Sequence, residues 1–336
     1  MPSNKVETDI LVVGAGLTGL MAAKVLTQQG LRVAVIDKGR SVGGRLATRR
    51  IGPGRADHGA QFFTIRSAEF QKWAEQWLKE GLAFRWSNGW SDGSLAPVNF
   101  DGHARYAVRD GMNALAKYLA EGLKAQVNVR LVAAAATAEG WQSKADNGSS
   151  YLSKALLLTP PVPQSLALLE AGETKLAEAD QAALEKIAYA PCLTGLFWLD
   201  GAIHLPEPGA IQHSYAPISW IADNRRKGIS PEATIVTVQA GPDYSRQLWE
   251  VPETGVLAAL QTSFQPYLAS NTTILEAQLK RWRYALPTIL HPEQYLLAAS
   301  LPPLVLAGDA FNGPRIEGAV LSGLTAGQIL VEQLAK

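Results

Sequence analysis

Three glycines at positions 14, 16 and 19 carry the spacing G-x-G-x-x-G, a pattern suited to holding a pyrophosphate. Gly14 permits a tight strand-to-helix turn. Gly16 lets the backbone approach the phosphates, and Gly19 allows a helix to pack closely on a strand. Leu17 lies within the turn into that helix, whose free N–H groups and positive dipole end favour an anion. The spacing alone is weak, but its context is informative. The apolar run Ile10-Leu11-Val12-Val13 precedes it, a helical pattern from Leu20 to Gln29 follows and stops at Gly30, and Arg32 to Ile36 reads as a second strand ending on Asp37. Asp37 stands 18 residues beyond Gly19, where a carboxylate takes adenosine ribose hydroxyls. Lys38 adjoins it and is counted with the same contacts.

Two further segments suit the same ligand class. In Ser41-Val42-Gly43-Gly44-Arg45 the glycines let backbone amides come close, and Arg45 is suited to neutralise a diphosphate. The plainer alternative is a surface turn with a solvated arginine. Near the other end, Gly308-Asp309 follows the buried-strand pattern Leu304 to Ala307, and Arg315-Ile316-Glu317-Gly318-Ala319 opens a last helix. Asp309 is placed to accept hydrogen bonds from hydroxyls, and the amides from Ile316 to Ala319 form a second helix N-terminus. Such an end stabilises nearby negative charge by roughly 0.3–2 kcal/mol. The alternative makes Gly-Asp a loop and Glu317 a capping acid.

Other residues are candidates for reaction chemistry. His58, within Asp57-His58-Gly59-Ala60-Gln61-Phe62-Phe63, is either a general base or a structural histidine in a packed loop. Trp220, Trp282 and Tyr284 are candidate pocket walls, although most of the nine tryptophans belong to a core. Arg225-Arg226-Lys227 would meet an anionic substrate or form a solvated face. Thr159-Pro160-Pro161 reads as a strand end beside a ligand or as a rigid crossover. The single cysteine, Cys192, excludes an intrachain disulfide framework. No spacing of His, Cys and Asp suits zinc, so no metal is expected, and neither G-x-S-x-G nor a Walker loop occurs.

The elements that must position these residues follow from the rest of the chain. With 336 residues, 47% hydrophobic and 18% charged, it can bury a sizeable core. A net charge of +1 argues against a polyanion partner, so no nucleic acid is expected. The opening MPSNKVETD lacks the pattern of a secretory signal, and Gln328, Glu332 and Gln333 interrupt the one long apolar stretch. A cytoplasmic protein without a membrane span is expected. Helical patterns run over about 67–79, 111–123 and 175–188, extended ones over 127–132, 154–158 and 234–239, and Trp141 suits a hairpin. The α/β grammar at both ends predicts a discontinuous Rossmann-type nucleotide domain over 1–65, 105–160 and 290–336. An inserted α+β substrate domain with a mixed or antiparallel sheet is expected over 66–104 and 161–289.

The two N-terminal motifs together resemble those of the FAD-dependent amine oxidases, desaturases and their relatives. In that group FAD, rather than a nicotinamide cofactor, occupies such a site. More narrowly, VVGAGLTGL with VIDKGRSVGGRLATRR, then DHGAQFFTIR, WIADNRRK, RWRYALP and LAGDAFNGPRIEGAVLSG, resemble the renalase family in order and spacing. The resemblance runs end to end and is strongest in the first 65 and last 35 residues. It implies an amine-oxidase-like fold and non-covalent FAD, contacted by Leu17, Asp37, Arg45, Gln61, Phe62, Asp309 and the backbone from Ile316 to Ala319. Gly59 would make room for the ring, and Gly14, Gly16, Gly19, Lys38 and Gly44 complete the cofactor set. It further implies oxidation of the 2- and 6-dihydro isomers of NAD(P)H to NAD(P)+, with hydride passing to flavin N5 and dioxygen as acceptor. Bacterial renalases carry a histidine in the strand before an SR dipeptide. Here Gln239 precedes Ser245-Arg246, so Gln239 joins Trp282, Tyr284 and His58 as a candidate catalytic residue, and the substrate could differ. Two alternatives stay open: an amine oxidase or a desaturase for an apolar amine, carotenoid or porphyrinogen-like substrate, and a non-catalytic flavin-binding scaffold or sensor.

Overall fold

Ile10 to Val13, an unbroken apolar run, lies buried inside an eight-stranded sheet in the computed structural model, which describes residues 5–94, 102–213 and 217–336. Strands covered on both faces are expected to read this way. The chain divides into two compact units, Met1–Gly44 with Ala116–Ala188 and Pro287–Lys336, and Arg45–Leu115 with Tyr189–Leu286. These bounds differ from those expected. Residues 45–65 and 105–115 belong to the second unit and 161–188 to the first, where the Thr174 hydroxyl bonds the strand Leu131–Thr137 through Ala134 and Ala136.

In the first unit the main sheet order is Tyr295–Leu297, Leu304–Ala307, Ser150–Leu158, Lys5–Val13, Val33–Ile36 and Ala125–Gln126. The four pairs from Leu304–Ala307 to Ala125–Gln126 are parallel. An antiparallel pair closes the other edge, and the strands Gly140–Ala145 and Leu131–Thr137 add on as a meander. Register matters most for function. Val13 is level with Ile36 and Leu158, and Leu158 with Leu306, so these strands end side by side. Gly14, Asp37, Thr159 and Gly308 therefore emerge along one carboxyl edge, where open α/β sheets bind ligands. The helices Leu17–Gln28 and Ile316–Leu334 pack so closely that a Cβ on Gly323 would lie 2.4 Å from the Thr18 carbonyl oxygen. Among the described residues no helix is long and apolar enough to cross a membrane.

The second unit is built on a five-stranded sheet ordered Ala210–Gln212, Ile218–Asp223, Thr234–Ala240, Ala188–Asp200 and Thr273–Ile289. Alternation on Thr234–Ala240 sorts its two faces. Val236 and Val238 join a core with Phe197, Val256, Leu260 and Phe264, while Ile235 packs on the other face with Ile51 and Ala56. Thr237 and Gln239 continue that second face. The helix Ala68–Lys79 forms as its pattern predicts: the Ser67 hydroxyl caps it by accepting from Phe70 N, and Phe70 and Trp77 are fully buried. The cap contributes about 1 kcal/mol and each buried aromatic about 2–3 kcal/mol.

Candidate functional site

In the first unit the three motif glycines have three separate physical reasons. Gly14 has φ +104°, and a Cβ there would lie 2.3 Å from Thr159 Oγ1. A Cβ on Gly19 would lie 2.0 Å from the Gly14 carbonyl oxygen, so helix and strand meet only without one. Gly16 has an ordinary backbone conformation, and a Cβ there would meet nothing within 4 Å. Its bareness serves no packing inside the protein and leaves room for an external group. Thr159 braces the turn by donating its hydroxyl to the Val13 and Gly14 carbonyls.

Asp37 ties this turn to the next. Its Oδ2 accepts from Ala15 N at 2.7 Å and its Oδ1 from Gly39 N at 2.6 Å, while Gly43 N donates to the Ala15 carbonyl. Each carboxylate oxygen keeps a lone pair for a hydroxyl donor. Lys38 turns aside, and its Nζ donates to Gln164 Oε1 at 2.7 Å. Thr18 Oγ1 donates to the Ala319 carbonyl at 2.8 Å, which sets the first turn of one helix beside that of the other. Leu17 is buried, Ile316, Gly318 and Ala319 are half-buried, and Glu317 is buried. Neither N-cap, Gly16 nor Arg315, makes a side-chain capping bond, so two helix N-termini converge with backbone donors unclaimed by their caps. Half-buried Asp309 leaves the adjacent strand end, which Ser322 fixes by accepting from Gly308 N and donating to the Gln294 carbonyl. Residues 301 positions apart thus meet at one edge suited to an anionic dinucleotide.

The second unit gathers the remaining candidates around Gly59. Backbone pairing of His58 N with the Ala47 carbonyl and Ala60 N with the Arg45 carbonyl leaves no room for a side chain, since a Cβ on Gly59 would lie 2.0 Å from the Arg45 oxygen. The Gly59 carbonyl accepts from Gln239 Nε2 at 2.8 Å and Gln61 Nε2 at 3.1 Å. His58 stacks on Trp282, with centroids 5.3 Å apart, and Trp282 Nε1 donates to the His58 carbonyl at 2.8 Å. Burial, assisted by nearby Lys280 and Arg49, pushes the His58 imidazole down to about 4. It is neutral at physiological pH. Tyr284 packs edge-on against Tyr189, and its carbonyl, like that of Ala285, accepts from Arg45 Nη1 at 3.4 Å. Trp220, 3% exposed, forms a tight cluster with Phe62, Trp86 and Trp90 and belongs to a core rather than an open wall.

The basic run does not act as one cluster. Lys227 is fully buried, and its Nζ lies 2.6 Å from Asp57 Oδ2 and 5.0 Å above the Trp86 ring. Burial pushes this lysine below its ordinary range. Arg226 pairs with Glu207, and only Arg225 is exposed. Arg225 lines a cleft of about 640 Å³ together with Asp200, Asp223 and Glu232, so the charge there is mixed. That cleft lies at the Thr234 end of the strand carrying Gln239, about five residues or roughly 16 Å away.

Sequence reasoning missed the Asp57–Lys227 pair. Asp57 Oδ1 also accepts from Thr48 Oγ1 at 2.5 Å and Met112 N at 2.8 Å, while its carbonyl accepts from Gln61 Nε2 and Thr237 Oγ1. A basic run gives no sign that one member turns inward. Cys192 is half-buried overall, and burial of its thiol pushes it up to about 11, so it is inert as a nucleophile.

Fold and geometry together define a dinucleotide-binding α/β protein with a separate antiparallel-sheet unit. The model of the flavin containing amine oxidoreductases matches residues 66–331, and that of the NAD(P)-binding Rossmann-like domain matches residues 12–80. The chain belongs to the flavin-containing amine oxidoreductases. FAD is the cofactor of that family, and the chain is an FAD-dependent oxidoreductase. AofH of Mycobacterium tuberculosis, named as a flavin-containing monoamine oxidase, is 48% identical over 54 residues, 16% of this chain and 12% of AofH. Hydroxyneurosporene desaturase of Rhodobacter capsulatus is 42% identical over 60 residues, 18% of this chain and 12% of the desaturase. The matches thus span a small part of either relative. The structure of wild-type putrescine oxidase bound to putrescine superposes over 99% of this chain and 100% of its own, with a TM-score of 0.69 at 14% identity, a likeness of fold. The uncapped helix N-termini, the open space over Gly16 and the Asp37 carboxylate fit the anionic and ribose parts of FAD.

Proposed function

We propose that this protein is a renalase-like oxidase that converts 2- and 6-dihydro isomers of NAD(P)H to NAD(P)+. Bound FAD would supply a two-electron acceptor. The substrate loses one C–H bond and its electron pair as hydride, and dioxygen takes two electrons and two protons as hydrogen peroxide. The residues of this chain would bind and orient. Asp37 and the backbone at Gly14–Gly19 hold the adenosine diphosphate part, Asp309 the ribityl hydroxyls, and Ile316–Ala319 the flavin pyrimidine edge, with Arg45, Gln61 and Phe62 as further contacts. Lys38 adjoins Asp37 in this set, with its amine bonded to Gln164.

One observation carries the choice of substrate. The candidate residues offer no proton-transfer pair: His58 is held neutral in a stack, and buried Lys227 is bound to Asp57. Hydride loss from an already reduced ring needs none, and rate enhancement then comes from orientation. Purified holoenzyme supplied with each dihydronicotinamide isomer should consume dioxygen and release one hydrogen peroxide per NAD(P)+. Failure to release peroxide or product from either isomer would reject the proposal. The local likeness to AofH and to hydroxyneurosporene desaturase favours the second reading, oxidation of an apolar amine or desaturation of a carotenoid- or porphyrinogen-like substrate. Turnover of such a substrate alone would establish it.

A further inference from the structure

Ile235, Thr237 and Gln239 alternate with the core residues Val236 and Val238, so all three share one face of the strand Thr234–Ala240. That face follows the segment 56–59 in step. Ile235 packs with Ala56, the Thr237 hydroxyl donates to the Asp57 carbonyl at 3.0 Å, and Gln239 Nε2 donates to the Gly59 carbonyl at 2.8 Å. The same two carbonyls receive Gln61 Nε2, at 2.8 and 3.1 Å. Both carbonyls that hold the Gln61 amide are therefore themselves held by the strand.

The grip on Asp57 closes into a ring. Asn224 Nδ2 donates to Thr237 Oγ1 and to the Ile235 carbonyl, both at 2.9 Å, which leaves Asn224 Oδ1 to accept from Asp57 N at 3.4 Å. Having accepted from Asn224, the Thr237 hydroxyl gives its one proton to the Asp57 carbonyl. Asp57, Asn224 and Thr237 are fully buried, so no water competes for these bonds. Gln61 Nε2 spends both of its N–H groups on acceptor-only partners, and reversing the amide would set oxygen against oxygen. Gln61 Oε1 is buried and has no hydrogen-bond partner among the described residues.

We propose that Thr237 and Gln239 are positioning residues that fix the orientation of the Gln61 amide towards bound FAD. They act through the Asp57 and Gly59 carbonyls, so that Gln61 offers its oxygen rather than its NH2. A hydrogen-bonding group held in one orientation beside a flavin tunes the balance between its oxidised and reduced forms. Gln239 then serves orientation and not proton transfer. The proposal rests on the placement of Gln61 among the FAD contacts in the reading above.

The test is the two-electron reduction potential of bound FAD, measured anaerobically without substrate, with Tm recorded at one fixed excess of FAD. Gln61→Leu should change the relative affinity for oxidised and reduced FAD by about tenfold, as for one buried hydrogen bond, a shift of about 30 mV. Thr237→Val and Gln239→Leu should each shift it in the same direction by at least about threefold, or about 14 mV. Thr237→Ser, which keeps the hydroxyl, should match wild type. With Gln61→Leu in place, Thr237→Val should add no further shift, because no amide remains to be oriented. A lowered Tm with the potential unchanged in either single variant of the strand would make the grip structural and overturn the proposal. An undiminished shift from Thr237→Val in the Gln61→Leu background would overturn it as well. If Thr237→Val does not retain FAD, Gln239→Leu decides by the same criterion. A wild-type potential in Gln61→Leu would remove Gln61 from the cofactor contacts and overturn the proposal together with that placement. Failure of wild type to oxidise either dihydronicotinamide isomer would reject the oxidase reading alone, since no potential here depends on substrate.

Discussion

Replacing Lys227 by Met removes the only cation bonded to Asp57 among the described residues and leaves a carboxylate with no exposure to solvent. The remaining donors, Thr48 Oγ1 at 2.5 Å and Met112 N at 2.8 Å, are already engaged and offer nothing new. Breaking a buried pair by deleting one partner costs about 3–5 kcal/mol, because the other charge stays behind. The second unit comprises residues 45–115 and 189–286, so this loss corresponds to a fall of roughly 6–20 °C in Tm at about 2–4 °C per kcal/mol. Asp57→Asn should cost a similar amount, since it leaves the buried ammonium beside the Trp86 ring without its counter-charge. The double substitution should cost distinctly less than the sum, with a coupling of about 2 kcal/mol or more. The assay is thermal unfolding of the four proteins at one fixed excess of FAD, because bound cofactor itself raises Tm. A Lys227→Met protein within about 2 °C of wild type, or single effects that simply add, would refute the reasoning.

Three other outcomes follow from the same geometry. His58 has a folded-state value near 4 against 6.5 when unfolded, so only the unfolded chain takes up its proton between these limits. The stabilising contribution is complete above pH 6.5 and declines as pH falls towards 4, by about 3 kcal/mol, and His58→Phe, which keeps the stack on Trp282, should remove that decline in an acid-unfolding series. Gly16→Ala should leave the stability of the FAD-free protein within about 0.5 kcal/mol while weakening FAD binding at least tenfold by fluorescence titration, because its Cβ meets nothing of the protein. Gly19→Ala, whose Cβ would lie 2.0 Å from a carbonyl oxygen, should by contrast lower stability and FAD binding together; equal behaviour of the two variants would contradict their separate roles.

What could be read from the sequence was local. The Gly14–Gly19 turn and the Ser67-capped helix are set by residues within a few positions of each other, and strand and helix periods reveal them. The closing helix was legible for the same reason. The expected helix over 111–123 is shorter, Asn113–Ala120, because Gly111 takes φ +96° and Gly122 φ +78° at its ends. The 17-residue strand Thr273–Ile289, which carries Trp282 and Tyr284, was not delimited, since its charged and apolar residues lack a sustained period of two. The pair Lys227–Asp57 spans 170 positions, and the two amides on Gly59 come from positions 61 and 239. Such contacts exist only once the sheet has folded. The domain bounds moved for a related reason: the helices Val162–Ala171 and Glu178–Glu185 follow the prolines that suggested a crossover, yet Thr174 and Asp180 bind them back to the first unit.

The most direct measurement is anaerobic mixing of the holoenzyme with 6-dihydro-NAD and, separately, with an aliphatic amine, following flavin absorbance. Rapid bleaching by the nicotinamide isomer, with none by the amine, is the predicted result. Intact flavin in the presence of the isomer, with bleaching by the amine, would contradict it and make the protein an amine oxidase.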